Sequence, residues 1–169
     1  MVLQAFWQSV SAWPLAQFIA ASPWAFPAVE SFHVVAIVIV LGSVAVMDLR
    51  LLGLASTTSR VTEISSDALP WTWAAFGVAV ISGLLLFISK APDYMASPYF
   101  IWKMVLIAAA GVNMAVFHVL TWPGVRAWDS NAAVPMAGKL AAALSLGLWI
   151  TVVFLARAIG FTLDLFTPT

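Results

Sequence analysis

The two histidines of the chain are the residues best suited to chemistry, because both lie in long apolar stretches. His33 stands in VESFHVVAIVIV and His118 stands in GVNMAVFHVL. An ionisable side chain is costly inside a membrane, so one that is kept there is a functional candidate. An imidazole in a helix bundle can bind haem iron, pass a proton or ion, or make a structural hydrogen bond. These three roles stay open, and we favour haem ligation.

The depth of each histidine decides whether both could bind the same haem. His33 lies six residues after Pro27, and His118 lies twenty residues after Pro98. We expect the two helices to start at the same side of the membrane. The difference of fourteen residues then corresponds to about 21 Å along the helix axis. Each histidine therefore needs its own second ligand.

Two methionines stand at the matching depths. The helices contain the complementary patterns His33-x13-Met47 and Met104-x13-His118. Fourteen residues are close to four helical turns, so each pair lies on about one face of its helix. Methionine is a known axial haem ligand and also a common core residue. The pattern predicts one haem b at the His33 level, or two stacked haems that each have histidine and methionine ligands.

Three charged residues are expected near the depth of His33. They are Glu30, Lys103 and Arg157. The two cations could neutralise haem propionates or an anionic substrate, and Glu30 could orient His33 or exchange a proton with it. Alternatively, Lys103 and Arg157 extend towards the headgroups, and Glu30 stabilises the first turn of its helix.

The composition excludes an ordinary soluble domain. Of the 169 residues 63% are apolar and 8% are charged, with a mean hydropathy of +1.04. Soluble domains are about 45–50% apolar and about 25% charged. The chain has no cysteine, which excludes disulfides and cysteine-ligated metals. Its net charge is zero and it has no basic run, so nucleic acid is not expected as a partner.

Four windows are long and apolar enough to cross a bilayer core of about 30 Å as helices. We therefore predict an all-α integral membrane protein, a bundle of four transmembrane helices that forms a single domain over residues 1–169. The predicted transmembrane helices cover residues 27–53, 69–89, 98–122 and 138–163, and a proline stands near the start of each: Pro27, Pro70, Pro98 and Pro135.

The segments outside these windows predict how the chain sits in the membrane. Residues 1–22 are expected to form a helix, broken at Pro14, that lies in the outer membrane interface. Asp48 and Arg50 are expected to form an interfacial pair that ends the first span. The first and third loops contain more lysine and arginine than the second. This asymmetry predicts a bacterial inner membrane protein with both termini in the periplasm.

Two segments carry a resemblance to known families. At ESFHVVAIVIVLGSVAVMDLRLLG and FIWKMVLIAAAGVNMAVFH the chain resembles an uncharacterised family of bacterial four-helix membrane proteins with an N-terminal interfacial segment, over nearly its whole length. A histidine early in the first span and a lysine early in the third are distantly similar to the oxygen-independent protoporphyrinogen oxidases of the HemJ type. That resemblance implies b-type haem and catalytic roles for His33 and Lys103. The layout is also similar to four-helix haem b cytochromes.

These observations predict a membrane-embedded haem b protein that transfers electrons or performs redox chemistry at the periplasmic side. Its redox partner would be a quinone or a periplasmic protein. Two alternatives stay open: a small transporter or proton-conducting subunit that uses both histidines, and a structural subunit of a larger membrane complex. If the protein is an enzyme, we expect a haem-dependent oxidoreductase. The sequence leaves its catalytic residues and its oligomeric state undefined.

Overall fold

A computed structural model describes residues 2–129 and 133–163 of the chain. These residues form seven α-helices and no strand: α1 (Val2–Ser11), α2 (Pro14–Ala21), α3 (Ala25–Leu52), α4 (Val61–Ser89), α5 (Ala91–Ala96), α6 (Pro98–Val116) and α7 (Met136–Thr162). Within these ranges four segments are long and apolar enough to cross a membrane, namely α3, α4, α7 and the segment Pro98–Ala127, which contains α6. The predicted all-α, four-helix membrane fold is confirmed.

The third of these segments changes its helix type near its end. A π-helical turn follows α6 at Phe117–Thr121, and a 3₁₀ helix continues to Ala127. Pro123 has no backbone N–H to donate to a carbonyl one turn earlier, which disfavours a regular α-helix at this point. Short π-helical turns are frequent at functional sites, and this one contains His118.

The long helices contact one another in the order α4, α3, α7, α6: α3 packs against both α4 and α7, and α7 packs against α6. Small and β-branched residues are buried at these interfaces: Ala36 and Val40 on α3, Ala75 and Ala79 on α4, and Ala142 and Val152 on α7. Small side chains let helix backbones approach closely in lipid, where helix association depends on packing. We call the end of the bundle where α3 begins the His33 end, and the opposite end the Arg50 end.

The fourth helix begins earlier than the predicted second span, at Val61 instead of residue 69, and Pro70 lies inside it. Its first turn is capped by Asp129, which is distant in the sequence. The backbone N–H and hydroxyl of Thr62 donate to the two carboxylate oxygens at 2.9 and 2.8 Å. The N–H of Val61 donates to the carbonyl oxygen of Asp129 at 3.1 Å. These bonds satisfy N–H groups that a helix start otherwise leaves unpaired.

This cap predicts an acid-sensitive stability. The backbone hydrogen bond from Thr62 holds the pKa of the Asp129 carboxyl below its ordinary value, and the Thr62 hydroxyl and Arg60 add to this effect. A carboxyl with a lowered folded-state pKa stabilises the fold above its unfolded pKa, and this stabilisation is lost as the pH falls through the folded pKa. We expect the melting temperature in detergent to decrease when the pH is lowered below about 4. The decrease should be smaller in Asp129→Asn. Asp67→Asn, at an exposed site on α4, is the control. Equal acid sensitivity in Asp129→Asn and the unaltered protein would contradict the role of the cap.

A buried arginine joins the connecting segments at the Arg50 end. The Nε of Arg50 donates to the carbonyl of Ser59 at 2.9 Å, and Nη2 donates to the carbonyl of Asp129 at 3.4 Å. The Asp48 carboxyl faces the hydroxyl of Ser145 on α7. The expected pair between Asp48 and Arg50 is therefore wrong. Residues two positions apart on a helix point to different sides, so these two side chains reach different partners.

The N-terminal helices pack at the His33 end. The Ser11 hydroxyl donates to the carbonyl of Ile88 at 3.0 Å and accepts from the N–H of Ala91 at 3.1 Å. It thereby bridges the end of α4 and the start of α5. The predicted break falls where α2 begins, since Pro14 is its first residue. The placement of α1 and α2 in the membrane interface stays a prediction.

Candidate functional site

His33 lies on the side of α3 that packs against α4, where its imidazole is hydrogen-bonded to a serine of that helix. Its Nδ1 is 3.0 Å from the Oγ of Ser82. The Ser82 hydroxyl donates its only hydrogen to the carbonyl of Val78 at 2.6 Å. The imidazole tautomer that fits this hydroxyl is the one in which Nδ1 carries the hydrogen and donates to Ser82. In the neutral imidazole this leaves Nε2 with a free lone pair.

The ring of His33 fits against α4 because residue 83 is glycine. A Cβ built on Gly83 would lie 3.0 Å from Cε1 and 3.5 Å from Nδ1 of the imidazole. That separation is too close for ordinary packing, so any side chain at position 83 requires the ring to move. Gly83 and Ser82 together fix where the imidazole sits and which nitrogen stays free.

Two charged side chains lie close enough to act on the His33 imidazole. Lys103 of α6 and Glu30, one turn before His33 on α3, both interact with it electrostatically. The Lys103 ammonium also lies 5.2 Å from the centroid of the Phe100 ring, within cation–π range. The His33 end therefore contains a cluster of one imidazole, one ammonium and one carboxylate, which we call the outer cluster (Glu30, His33 and Lys103).

Arg157 and Met104 are placed at the surface. The guanidinium of Arg157 lies 4.2 Å from the ring centroid of Phe161 on the same helix, and its side chain is exposed. Met104 follows Lys103 on α6 and is 40% exposed. Their roles, as a contact for a propionate and as a second axial ligand, stay predictions.

Aromatic rings join the helices at the His33 end. Phe87 on α4 stacks on Phe100 of α6, with centroids 5.4 Å apart and planes at 12°. Trp7 contacts the edge of Phe87 at 5.5 Å, and Tyr94 of α5 lies 5.3 Å from Phe100. Burial raises the pKa of Tyr94 to about 12, with the charges of Glu30 and Asp93 adding to it, so the phenol is neutral at physiological pH. These rings pack beside Lys103.

His118 lies far from this cluster. It is fifteen residues after Lys103 on the same helical segment, or about 22 Å along the axis. Its Nδ1 donates to the carbonyl of Met114 at 2.9 Å, which also leaves Nε2 unprotonated in the neutral ring. The imidazole contacts the rings of Phe117 and Trp122 at 5.4 and 5.7 Å. His118 is therefore not part of the outer cluster.

Met47, the proposed partner of His118, packs in the core at the Arg50 end. Its side chain contacts a buried cluster that includes Leu51, Val61 and Phe117. Met47 therefore contributes to the hydrophobic core at this end. Its role as a haem ligand stays a prediction.

The described residues limit the kind of metal site that is available. Within residues 2–129 and 133–163, no three histidine, aspartate or glutamate side chains come together to hold a metal ion, and the chain has no cysteine. A structural zinc ion needs four protein ligands and a catalytic one needs three. Haem iron can be held by a single axial side chain. Haem ligation by His33 or His118 stays a prediction.

Sequence patterns identified the charged members of this site, and Gly83 as a position of close approach, but they did not identify Ser82. A serine inside an apolar helix commonly bonds the carbonyl four residues earlier, as Ser82 does, and so does not stand out. Its contact with His33 depends on the register between α3 and α4.

The fold and the site define an all-α membrane protein with four candidate spanning helices and a cluster of titratable groups at one end of the bundle. Comparisons of the chain with protein-family models, with curated proteins and with solved structures found no match.

Proposed function

We propose that the protein is a membrane-embedded b-type haem protein with redox activity at the His33 end, and that Nε2 of His33 is an axial ligand of the iron. The observation that carries the proposal is the hydrogen-bond chain from His33 through Ser82 to the carbonyl of Val78. Histidines that bind metals typically donate their other ring N–H to a fixed acceptor, which sets the tautomer and the ring orientation. His33 has this arrangement inside an apolar helix.

The charges around His33 also suit a haem. A haem carries two propionates. The Lys103 ammonium, which interacts electrostatically with His33, could neutralise one of them. Arg157, exposed on α7, is the second candidate for this role. When bound, the haem supplies one-electron redox chemistry. The chain's own residues would hold the iron, fix the imidazole and balance the propionate charge.

The proposed setting follows from the loop charges. More lysine and arginine stand in the loops at the Arg50 end, including Arg60 and Arg126, than in the connection at the other end. The positive-inside tendency supports a bacterial inner membrane protein with the His33 end and both termini on the periplasmic side. A quinone in the outer leaflet or a periplasmic protein would exchange electrons with this site.

An absorption spectrum of the detergent-purified protein from haem-sufficient cells tests the proposal. We expect a Soret band, with sharp α and β bands after dithionite reduction, and a pyridine haemochrome of the b type. The chain has no cysteine for covalent attachment, so acidified acetone should extract the haem. A colourless protein that remains colourless after incubation with haemin would overturn the proposal.

Proton transfer is the second candidate function, and the outer cluster favours it. Glu30, His33 and Lys103 are three titratable groups within electrostatic range at one end of the bundle. Proteoliposomes loaded with a pH-sensitive dye would report a proton flux. This function requires that the flux is present in haem-free protein and is lost in His33→Gln.

A further inference from the structure

A cavity of about 490 Å³ lies between α1 and α5 at the His33 end of the bundle. Its wall combines Gln4, Trp7 and Gln8 on α1 with an apolar face of α5 that includes Pro92 and Met95. Sites for small organic ligands usually have volumes of about 300–1,000 Å³, with apolar walls and a few polar groups. The cavity has this size and this composition, and it is separate from the outer cluster.

The polar side chains of the wall are two glutamines, one turn apart on α1. Gln4 and Gln8 are exposed, and their amides are not hydrogen-bonded to any other described residue. Because they are four residues apart, they lie on the same side of the helix. An amide donates through its NH₂ group and accepts through its carbonyl oxygen. The pair can therefore bind a carbonyl oxygen, and equally a hydroxyl group in its place.

Trp7 gives the cavity an aromatic wall between the two glutamines. Its Nε1 is buried and has no hydrogen-bond partner in the part of the chain that the structure describes. A buried donor without an acceptor costs free energy, and an acceptor atom that reaches it lowers this cost. The α1 side of the cavity thus offers hydrogen-bond donors beside an aromatic surface.

Ring contacts join the cavity to the outer cluster. Trp7 packs against Phe87 with centroids 5.5 Å apart, and Phe87 stacks on Phe100 at 5.4 Å. The Lys103 ammonium lies 5.2 Å from the centroid of Phe100. A molecule in the cavity and the outer cluster would therefore contact the same group of aromatic rings from two sides.

The charge of the wall restricts the class of ligand. Among the described residues, no aspartate, glutamate, lysine or arginine lines the cavity. Phosphate and carboxylate groups are typically bound by cationic side chains, so this wall does not suit the phosphate of a lipid or another anion. A flat neutral ring with oxygen atoms at its edge fits the indole, the apolar face of α5 and the two amides.

We propose that the cavity between α1 and α5 binds the head group of a membrane quinone, with the amides of Gln4 and Gln8 bonded to one of its oxygen atoms. The inference rests on the proposed function and deepens it, because it identifies a quinone as the redox partner and assigns the place where it binds. The amides suit both oxidation states: they donate to the carbonyl of a quinone and accept from the hydroxyl of a quinol.

Photoaffinity labelling of the full-length protein in detergent tests the place of binding. The probe is an aryl azide derivative of a decyl benzoquinone, and the labelled peptides are identified by mass spectrometry after chymotrypsin digestion. We expect the label on α1 and α5, suppressed by excess decyl benzoquinone and not by decanol at the same concentration. A label confined to other helices, or equal suppression by decanol, would overturn the proposal.

Glutamine variants test the proposed contacts. In the double variant Gln4→Leu, Gln8→Leu we expect the affinity for decyl benzoquinone, measured by competition with the probe, to fall about tenfold or more. The matched control is Gln17→Leu on α2, because the Gln17 amide donates to the carbonyl of Ser11 at 2.7 Å and does not line the cavity. Equal affinity in the double variant and the control would exclude the amides from the site. If the double variant does not fold, the position of the label in the unaltered protein decides.

Labelling both haem-free and haem-loaded protein separates this inference from the proposed function. Protein that takes up no haem but is labelled on α1 and α5 would overturn the haem proposal and support the quinone site. Haem-loaded protein without label on α1 and α5 would overturn the quinone site and leave the haem proposal intact.

Discussion

Replacing His33 with alanine is expected to abolish haem binding by the purified protein. The imidazole supplies the proposed axial ligand, and its Nδ1 is already bonded to Ser82. Loss of an outer hydrogen bond at a metal site typically lowers affinity about 10–100-fold, and loss of the ligand itself should lower it further. The haem content per protein, measured by pyridine haemochrome, should fall to background. Circular dichroism should show that the helices remain.

The matched control is His118→Ala, which removes the other histidine about 22 Å from Lys103 along α6 and its extension. It should retain the Soret band of the His33 site. Haemin added together with imidazole should restore a protein-bound low-spin spectrum to His33→Ala, because free imidazole can replace the missing ligand but cannot replace a purely structural residue. Ser82→Ala should retain haem with weaker affinity. If both histidine variants keep full haem content, His33 is not the ligand, and if both lose half of it, the protein binds two haems.

Replacing Arg50 with methionine is expected to cause a large loss of stability. The guanidinium is 5% exposed and donates to the carbonyls of Ser59 and Asp129, which belong to two different connecting segments. Hydrogen bonds from charged groups contribute about 1.5–3 kcal/mol each. We therefore expect the free energy of unfolding to fall by about 3 kcal/mol or more, measured by denaturant titration in detergent.

The control for this variant is Arg126→Met, which removes an exposed arginine from the 3₁₀ helix at the same end of the bundle. Exposed substitutions usually change stability by about 0.5 kcal/mol or less. Arg50→Lys should fall between the two, because an ammonium cannot reproduce the guanidinium geometry. Equal stability of Arg50→Met and Arg126→Met would show that the buried hydrogen bonds contribute nothing.

The sequence was sufficient for those parts of the fold that depend on hydrophobicity over a long window. The bilayer requires about twenty apolar residues in a helix, so α3, α7 and the start of α6 could be located to within a few residues. The start of α4 could not be located in this way. Its first turn is capped locally by Glu63, which accepts from the N–H of Arg60, and also by Asp129 from a position 67 residues further along the chain than Thr62. A contact of this length leaves no local pattern.

The same distinction holds for the candidate site. His33 and Lys103 stand out because ionisable side chains are rare in apolar helices. Asp48 was assigned to a pair with Arg50 because the two are neighbours in sequence, whereas its partner Ser145 is on α7. Partners across helices follow from which faces meet, and apolar windows do not determine those faces.

The central place of α3 has a mechanical consequence. This helix contacts α4 through His33 and α7 through Asp48, and the two residues are fifteen positions apart, about 22 Å along the axis. A helix of this length moves nearly as a rigid rod. A small turn of α3 about its own axis would therefore shift the imidazole and the carboxyl at the same moment, at opposite ends of the bundle. A rotation of α3 that is caused at one end would therefore move the side chain at the other end, and no side chain in between would have to change its partner.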